Sequence, residues 1–196
     1  ALVFITHEDN PVSDIDASQV RKIYADMSIT DWADLGGKSG RIVPICRNAD
    51  SGSQAQMENL VLGGRSINPT VENNYMERDM NGMLQMVEEY RYLAQDGEEN
   101  AYTLGYTLYY YIQIAQSVMG DMDIKPLSFD GVAPTPETIL SREYPLAINY
   151  YAVIRKDLPE EHPARKIAEW LTTTDGQWDV AISGLGALQT LYEPPQ

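Results

Sequence analysis

The run from Arg41 to Val61, RIVPICRNADSGSQAQMENLV, changes its hydrophobic period in mid-course, and that change commits the chain to an α/β arrangement. Ile42, Val43, Ile45 and Cys46 form a short continuous apolar segment of the kind buried in a parallel sheet. Turn formers follow Arg47, and then Met57, Leu60 and Val61 fall on one helical face. The reading is strand, tight turn, helix N-terminus. Such a helix end exposes unpaired N–H groups and a partial positive charge, which suits an oxyanion. Gly52 leaves room for close approach to the backbone, and Ser51 and Ser53 bring hydroxyl donors. Arg47 stands beside the turn with a guanidinium able to pair with a phosphate-like group. The spacing Ser51-x-x-Gln54 also spells a capping box, in which serine and glutamine close the helix end on themselves and no ligand is needed.

The same alternation of strand and helix signals runs along the chain. Residues 2–5 (LVFI) read as a buried strand closed by Asn10-Pro11. Asp16 and Gln19 spell a capping box for a helix whose apolar face is Val20, Ile23, Tyr24 and Met27, with Ile15 against Val20 as a staple. Residues 63–78 read as irregular. Met80, Met83, Met86, Val87 and Tyr90 mark a helix with a methionine-rich inner face, and 102–107 a strand beyond the polar loop 95–100. A helix opened by Tyr109–Tyr111 is expected to face Tyr111, Ile114, Ala115 and Val118 inward. Residues 124–129 read as a strand, Thr135-Pro136 as a helix start, and 144–155 (YPLAINYYAVIR) as a long strand. An amphipathic helix over 162–171 carries Ala164, Ile167, Ala168 and Leu171. Thr174 and Gln177 are expected to cap a last helix through Ile182, with Gly184 and Gly186 turning into a final strand. The fold class expected is α/β, a largely parallel sheet flanked by helices.

Charge narrows the function. The net charge of −15 argues against nucleic acid and against anionic membranes, both of which need clustered Lys and Arg. A small anion remains open, because local donors hold it while the global charge acts on encounter. The 43% hydrophobic content over 196 residues suits one full domain, or one domain with part of another. Cys46 is the one cysteine, so no internal disulfide forms and a buried thiol is expected. No segment reaches the length of a membrane-spanning helix. No signal peptide is seen, but the chain opens on Ala1, as a processed or excised piece would, so the missing signal does not argue for the cytoplasm.

Several segments together resemble the phosphate-binding proteins of bacterial ABC phosphate transporters, within the type 2 periplasmic-binding-protein superfamily. These are NPVSDIDASQVRKIYADMSITDWADLGG at 10–37, RNADSGSQ at 47–54, NGM at 81–83 and LGY at 104–106. IKPLSFDGVAPTPETI at 124–139, YPL at 144–146 and ARKIAEWLTTTDGQ at 164–177 continue the series, in the family's order. The resemblance implies a type 2 periplasmic-binding-protein-like lobe and puts Arg47, Ser51, Gly52 and Ser53 on the phosphate. Ser53 stands where the family usually has Thr and keeps the hydroxyl. Ala49 stands where some members carry an acidic residue that reads the ligand's proton, and Asp50 is adjacent.

Members of the family have two lobes around a cleft. The resemblance implies that 9–142 is the second, ligand-binding lobe. Residues 1–8 and 143–196 would then supply hinge strands and the C-terminal part of an incomplete first lobe, whose N-terminal stretch would precede Ala1. It further implies a non-enzymatic, extracytoplasmic solute-binding protein for phosphate or a similar oxyanion, an ABC permease as partner and no cofactor. Phosphate binding by one lobe alone is expected to be weak, and the surface left by the missing lobe would favour a homodimer. The alternative is a surface interaction or sensing module on the same fold.

Other motifs carry less. Gly37-Lys38-Ser39 matches the end of a nucleotide loop, but the first glycine of that pattern falls on Trp32. Ser51 as a hydrolase nucleophile needs a base, and the chain has only His7 and His162. No Cys/His cluster points to zinc, and Asp121 and Asp123 lack a calcium-loop pattern. The tyrosines at 109–111 and 150–151 read as core and hinge packing ahead of ligand stacking.

Overall fold

The computed structural model describes residues 1–93 and 100–187. The chain divides into two compact units, Ala1–Ala147 and Ile148–Gln196.

The first unit is built on a four-stranded sheet. Its strands are β1 (Leu2–His7), β3 (Ile42–Pro44), β6 (Tyr102–Leu108) and β7 (Ile124–Pro126), in the order β3-β6-β1-β7. The sheet is mixed. β3 and β6 run parallel with Ile42 opposite Tyr102, while β1 runs antiparallel to β6, Leu2 opposite Leu108, and to β7. Two shorter parallel pairs flank it: β2 (Asp14–Ile15) with β8 (Ser128–Phe129), and β4 (Cys46–Arg47) with β5 (Met76–Glu77).

Helices cover both faces of the sheet. α1 (Ala17–Tyr24) starts with the expected capping box: Asp16 Oδ1 accepts the Gln19 N–H at 2.8 Å and Gln19 Oε1 accepts the Asp16 N–H at 2.9 Å. Its Val20, Ile23 and Tyr24 are buried, and the Tyr24 ring stands edge-on to Tyr106. On the opposite face α4 (Met80–Leu93) buries Met83 and Val87, which lie so close to Gly105 that a Cβ there would meet Met83 Sδ at 2.7 Å. The methionine stripe thus serves the core. The rest of this unit comprises α2 (Gly52–Gln56), which passes into a π-helical turn (Met57–Val61), α3 (Pro69–Asn74), α5 (Tyr109–Met119) and α6 (Pro136–Leu140). The buried Cys46 lies between Ile45 and Arg47 in the core.

Several expectations change. Residues 63–78 are not irregular throughout: Asn68 caps α3, with Pro69 in its first turn, and β5 follows. In α5 the buried residues are Ile112 and Ala115, while Ile114 is exposed and Val118 is 79% exposed. Residues 144–155 hold no strand. β1 is already paired on both sides, so no edge is open there, and the Leu146 carbonyl meets it by accepting the Leu2 N–H at 3.1 Å. Most of the loop expected over 95–100 and the final strand expected after Gly186 lie outside the described residues.

The second unit contains α7 (Pro163–Trp170), whose N-cap is His162, and α8 (Thr174–Ile182), capped by Thr173 and not by the expected Thr174. Among its described residues no apolar side chain is buried, and Val153 is 90% exposed. No helix among the described residues is long and apolar enough to cross a membrane.

Candidate functional site

The chain changes sheets immediately before Arg47. Ile45 donates its N–H to Leu104 O at 2.9 Å, in line with β6, and Cys46 donates to Tyr75 O at 2.9 Å, ahead of β5. This switch leaves Arg47 at the end of β4, paired with Glu77 of β5. Because β3 and β6 are parallel, the loop after β4 and the start of α5 lie toward the same end of the sheet.

Arg47 is 8% exposed. Its guanidinium donates through Nε to Glu77 O at 3.2 Å and through Nη2 to Arg78 O at 3.1 Å. Those two bonds take two of its five N–H donors and fix the plane of the group. Backbone carbonyls carry no full charge, so they orient the cation without neutralising it. Nearly buried cations seek an anion, since the desolvation they have paid is recovered only by pairing.

Ser51 is the N-cap of α2 and lies in extended backbone, but its side chain makes no capping bond. Its hydroxyl lies 2.9 Å from that of Ser53, and Ser53 is itself buried. The Ser51 N–H donates to Asn48 O at 2.9 Å, closing the turn. Gly52, Ser53 and Gln54 are the first helical residues, whose N–H groups have no acceptor within the helix. A Cβ on Gly52 would meet nothing within 4 Å, so the loop is open on that side. The capping box that the Ser51-x-x-Gln54 spacing allowed does not form. Gln54 instead turns inward, where its Oε1 accepts the Arg47 N–H at 3.3 Å and the Tyr106 hydroxyl proton, and its Nε2 donates to Glu58 at 2.9 Å. The Arg47 N–H is shared with the Tyr106 hydroxyl at 3.0 Å. Burial pushes the Tyr106 hydroxyl far above its ordinary ionisation, so it stays a donor.

The four residues picked from sequence thus follow one another along the segment from the end of β4 to the first turn of α2. Gln54, Tyr106 and the carbonyls of Glu77 and Arg78 were not picked. The LGY strand pattern held the signal for Tyr106, whereas backbone carbonyls carry no residue signature at all. Ala49 and Asp50 are exposed on the loop.

The hydrolase reading of Ser51 finds no support from the histidines. His7 lies at the far end of β1, toward the end of the sheet opposite Arg47, with Nδ1 accepting the Asp9 N–H at 3.1 Å. His162 caps α7 in the second unit, with Nδ1 accepting the Ala164 N–H at 3.1 Å. Among the described residues no group of His, Cys, Asp and Glu is arranged to hold a metal ion.

The family described as the PBP superfamily domain matches residues 1–175. The chain belongs to this superfamily. As a PBP-superfamily domain it is 25% identical over 190 residues to the phosphate-binding protein PstS of Borreliella burgdorferi, covering 97% of this chain and 64% of that protein. The chain therefore spans a little under two thirds of that relative's length. Among solved structures it resembles a putative phosphate ABC transporter substrate-binding protein with bound phosphate from Clostridium perfringens. That match has 24% identity and a TM-score of 0.66, over 96% of this chain and 68% of that one. It also resembles PstS from Borrelia burgdorferi, with 21% identity and a TM-score of 0.67, over 97% and 70%. These likenesses carry the fold, a mixed α/β lobe with a central sheet between helices.

Proposed function

We propose that this chain is the larger part of an extracytoplasmic solute-binding protein that captures phosphate, or a closely similar oxyanion, for uptake through an ABC permease. The observation that carries the reading is the nearly buried Arg47 guanidinium, held by two carbonyls, in the same strand–turn–helix segment as Ser51, the N-cap of α2 whose side chain makes no capping bond. Arg47 would supply charge and paired N–H donors, Ser51 and Ser53 their hydroxyls, and Gly52 and Ser53 their backbone N–H groups. No bond is made or broken, so the role is binding and not catalysis. The names of the relatives support phosphate as the ligand.

In this reading residues 9–142 form the ligand-binding lobe, and 1–8 with 143–196 belong to the hinge and to a first lobe completed by chain that the relatives carry and this sequence does not. The exposed Val153, Ile167, Trp170 and Ile182 of the second unit favour a covering partner, either that lobe or a second copy of this chain. With one lobe the anion keeps half its water, and affinity is expected to be low.

Calorimetric titration of the 196-residue chain with inorganic phosphate, with sulfate in parallel and Arg47→Ala as control, tests the site. Saturable binding of phosphate that Arg47→Ala abolishes is expected. Equal binding by Arg47→Ala refutes the site. No heat from wild type with millimolar phosphate, beside a stable dimer in sedimentation, favours the interaction-module reading.

A further inference from the structure

Along the segment from β4 to α2 the acceptors are taken and the donors are in surplus. Glu77 O and Arg78 O receive the Arg47 guanidinium. Asn48 O receives the Ser51 N–H, and Ser51 O the Ala55 N–H at 3.1 Å. Gln54 Oε1 receives the Arg47 N–H and the Tyr106 hydroxyl proton, and Glu58 Oε1 receives Gln54 Nε2. Asn48 Oδ1 has no donor, but it is closed off from solvent, so an incoming ion does not reach it. On the other side of the balance, three of the five Arg47 N–H groups remain after its two carbonyl bonds. The N–H groups of Gly52 and Ser53 have no acceptor within α2. The Ser51 and Ser53 hydroxyls bond one another at 2.9 Å, which leaves one proton of the pair to give.

Tetrahedral oxyanions differ in the protons they carry. Sulfate carries none near neutrality, whereas inorganic phosphate loses its second proton there and is a mixture of dihydrogen phosphate and hydrogen phosphate. Each ligand hydroxyl needs an acceptor, and one turned toward an N–H leaves both hydrogens unpaired. Hydrogen phosphate can turn its single hydroxyl to water and present three bare oxygens. Dihydrogen phosphate has only two. The serine hydroxyls do not correct this, since a hydroxyl turns either way and gives to sulfate what it takes from phosphate. Charge works in the same direction. Uncharged carbonyls seat Arg47, so its full charge acts on the second negative charge of the ligand.

We infer that this segment selects its ligand by charge and not by proton: it takes the tetrahedral dianions, hydrogen phosphate and sulfate alike, ahead of singly charged dihydrogen phosphate. A site that accepts from a ligand hydroxyl rejects the analogue without it, and a set of donors has no such means against sulfate. The inference rests on the anion-site reading above and adds the ionisation state of the ligand. The titratable or charged groups on the elements around Arg47 and the turn are Asp50, Glu58, Glu77, Arg78, Asp79 and Tyr106. Glu58 is held by Gln54, Asp79 Oδ1 takes the Gly82 N–H at 2.6 Å, and the Glu77 carboxylate lies over Gly82. Asp50 is the one carboxylate between Arg47 and Gln54 and is exposed, so it enters the test.

The test is calorimetric titration of the 196-residue chain with inorganic phosphate and with sulfate, beside Arg47→Ala and Asp50→Asn. The titrations run from about pH 6 to about pH 8 at constant ionic strength, so that screening does not change. The readout is the ratio of the two dissociation constants, because sulfate does not titrate in this range and reports any change in the protein itself. That ratio is expected to swing roughly tenfold toward phosphate from the lowest pH to the highest, following the doubly charged fraction, with sulfate the tighter ligand at the lowest. Asp50→Asn is expected to tighten both anions by a like factor, since it removes a repelling charge and no acceptor. A ratio that stays fixed with pH, with sulfate the weaker ligand throughout, means that an acceptor reads the ligand's proton and overturns the inference. So does a phosphate preference that Asp50→Asn abolishes, which would name Asp50 as that acceptor. Both failures leave the anion site standing, provided Arg47→Ala still abolishes binding. No binding of either ion by wild type, or equal binding by Arg47→Ala, removes the site and the inference with it.

Discussion

Replacing Tyr24 with phenylalanine probes the point where the chain leaves the main sheet for the β4–β5 pair. The Tyr24 hydroxyl shares its one proton between the Leu104 carbonyl, the nearer acceptor, and the Ile45 carbonyl at 3.2 Å. Leu104 O has a second donor, the Ile45 N–H at 2.9 Å, and keeps it in the variant. Ile45 O is the acceptor stripped of its partner, two residues before Arg47. Tyr24 is fully buried, and its ring contact with Tyr106 survives the change. A buried acceptor left unmet costs about 1–3 kcal/mol, and with one carbonyl affected the lower half, about 1.5 kcal/mol, applies. For a folding unit near 150 residues this lowers the melting temperature by about 3–6 °C. Far-UV circular dichroism gives the melting temperature, and a guanidinium titration checks that the midpoint moves while the slope does not. Tyr24→Leu should cost more, since it also loses the ring contact and leaves a cavity. A shift below about 1 °C for Tyr24→Phe would show that Ile45 O finds another donor, and the argument that this hydroxyl holds the switch would fail.

Alkaline pH should destabilise the fold from about pH 9 upward. Burial pushes the Cys46 thiol from its usual 9.0 up to about 12 and raises Tyr24, Tyr106 and Tyr144 in the same direction. Each group ionises first in the unfolded chain, so the stability is complete below the unfolded value and is lost as pH rises toward the folded one. Denaturant midpoints between neutral pH and pH 11 measure this, and a flat profile above about pH 9 would contradict it. A thiol reagent at mildly alkaline pH should label Cys46 only as fast as the protein unfolds. Gly105→Ala places a methyl 2.7 Å from Met83 Sδ and 2.9 Å from Val87 Cγ2. Met83 can yield but Val87 cannot easily, so a loss of about 1–3 kcal/mol in chemical denaturation is expected, and neutrality would mean that α4 packs more loosely than its burial indicates.

Short-range signals survived into the structure where the responsible groups are neighbours in the chain. Asp16 with Gln19 and Thr135 with Thr138 closed as boxes because each pair needs only one turn of helix. β1 formed where the continuous apolar run at 2–5 stood, and β6 formed over the strand expected at 102–107. α5 shows where periodicity alone stops. Apolar residues lie on more than one side of it, and packing buried Ile112 and Ala115 while leaving Ile114 and Val118 exposed. The strand expected over 144–155 had the right alternation, but β1, the strand it meets at Leu2, is already paired on both sides, and a strand without a partner has nowhere to put its backbone hydrogen bonds.

The same division runs through the site. Sequence by itself determined that Arg47, Ser51, Gly52 and Ser53 share one turn between a strand and a helix, because covalent neighbours within seven residues cannot be far apart. It left open whether Gln54 would cap Ser51 or serve something else. Only the tertiary structure supplied the partner that Gln54 takes, by bringing Tyr106 from 52 positions along the chain into hydrogen bonding with it. It likewise chose the carbonyls of Glu77 and Arg78 as the seat of the Arg47 guanidinium, since every residue carries the same carbonyl and register alone selects which one is met.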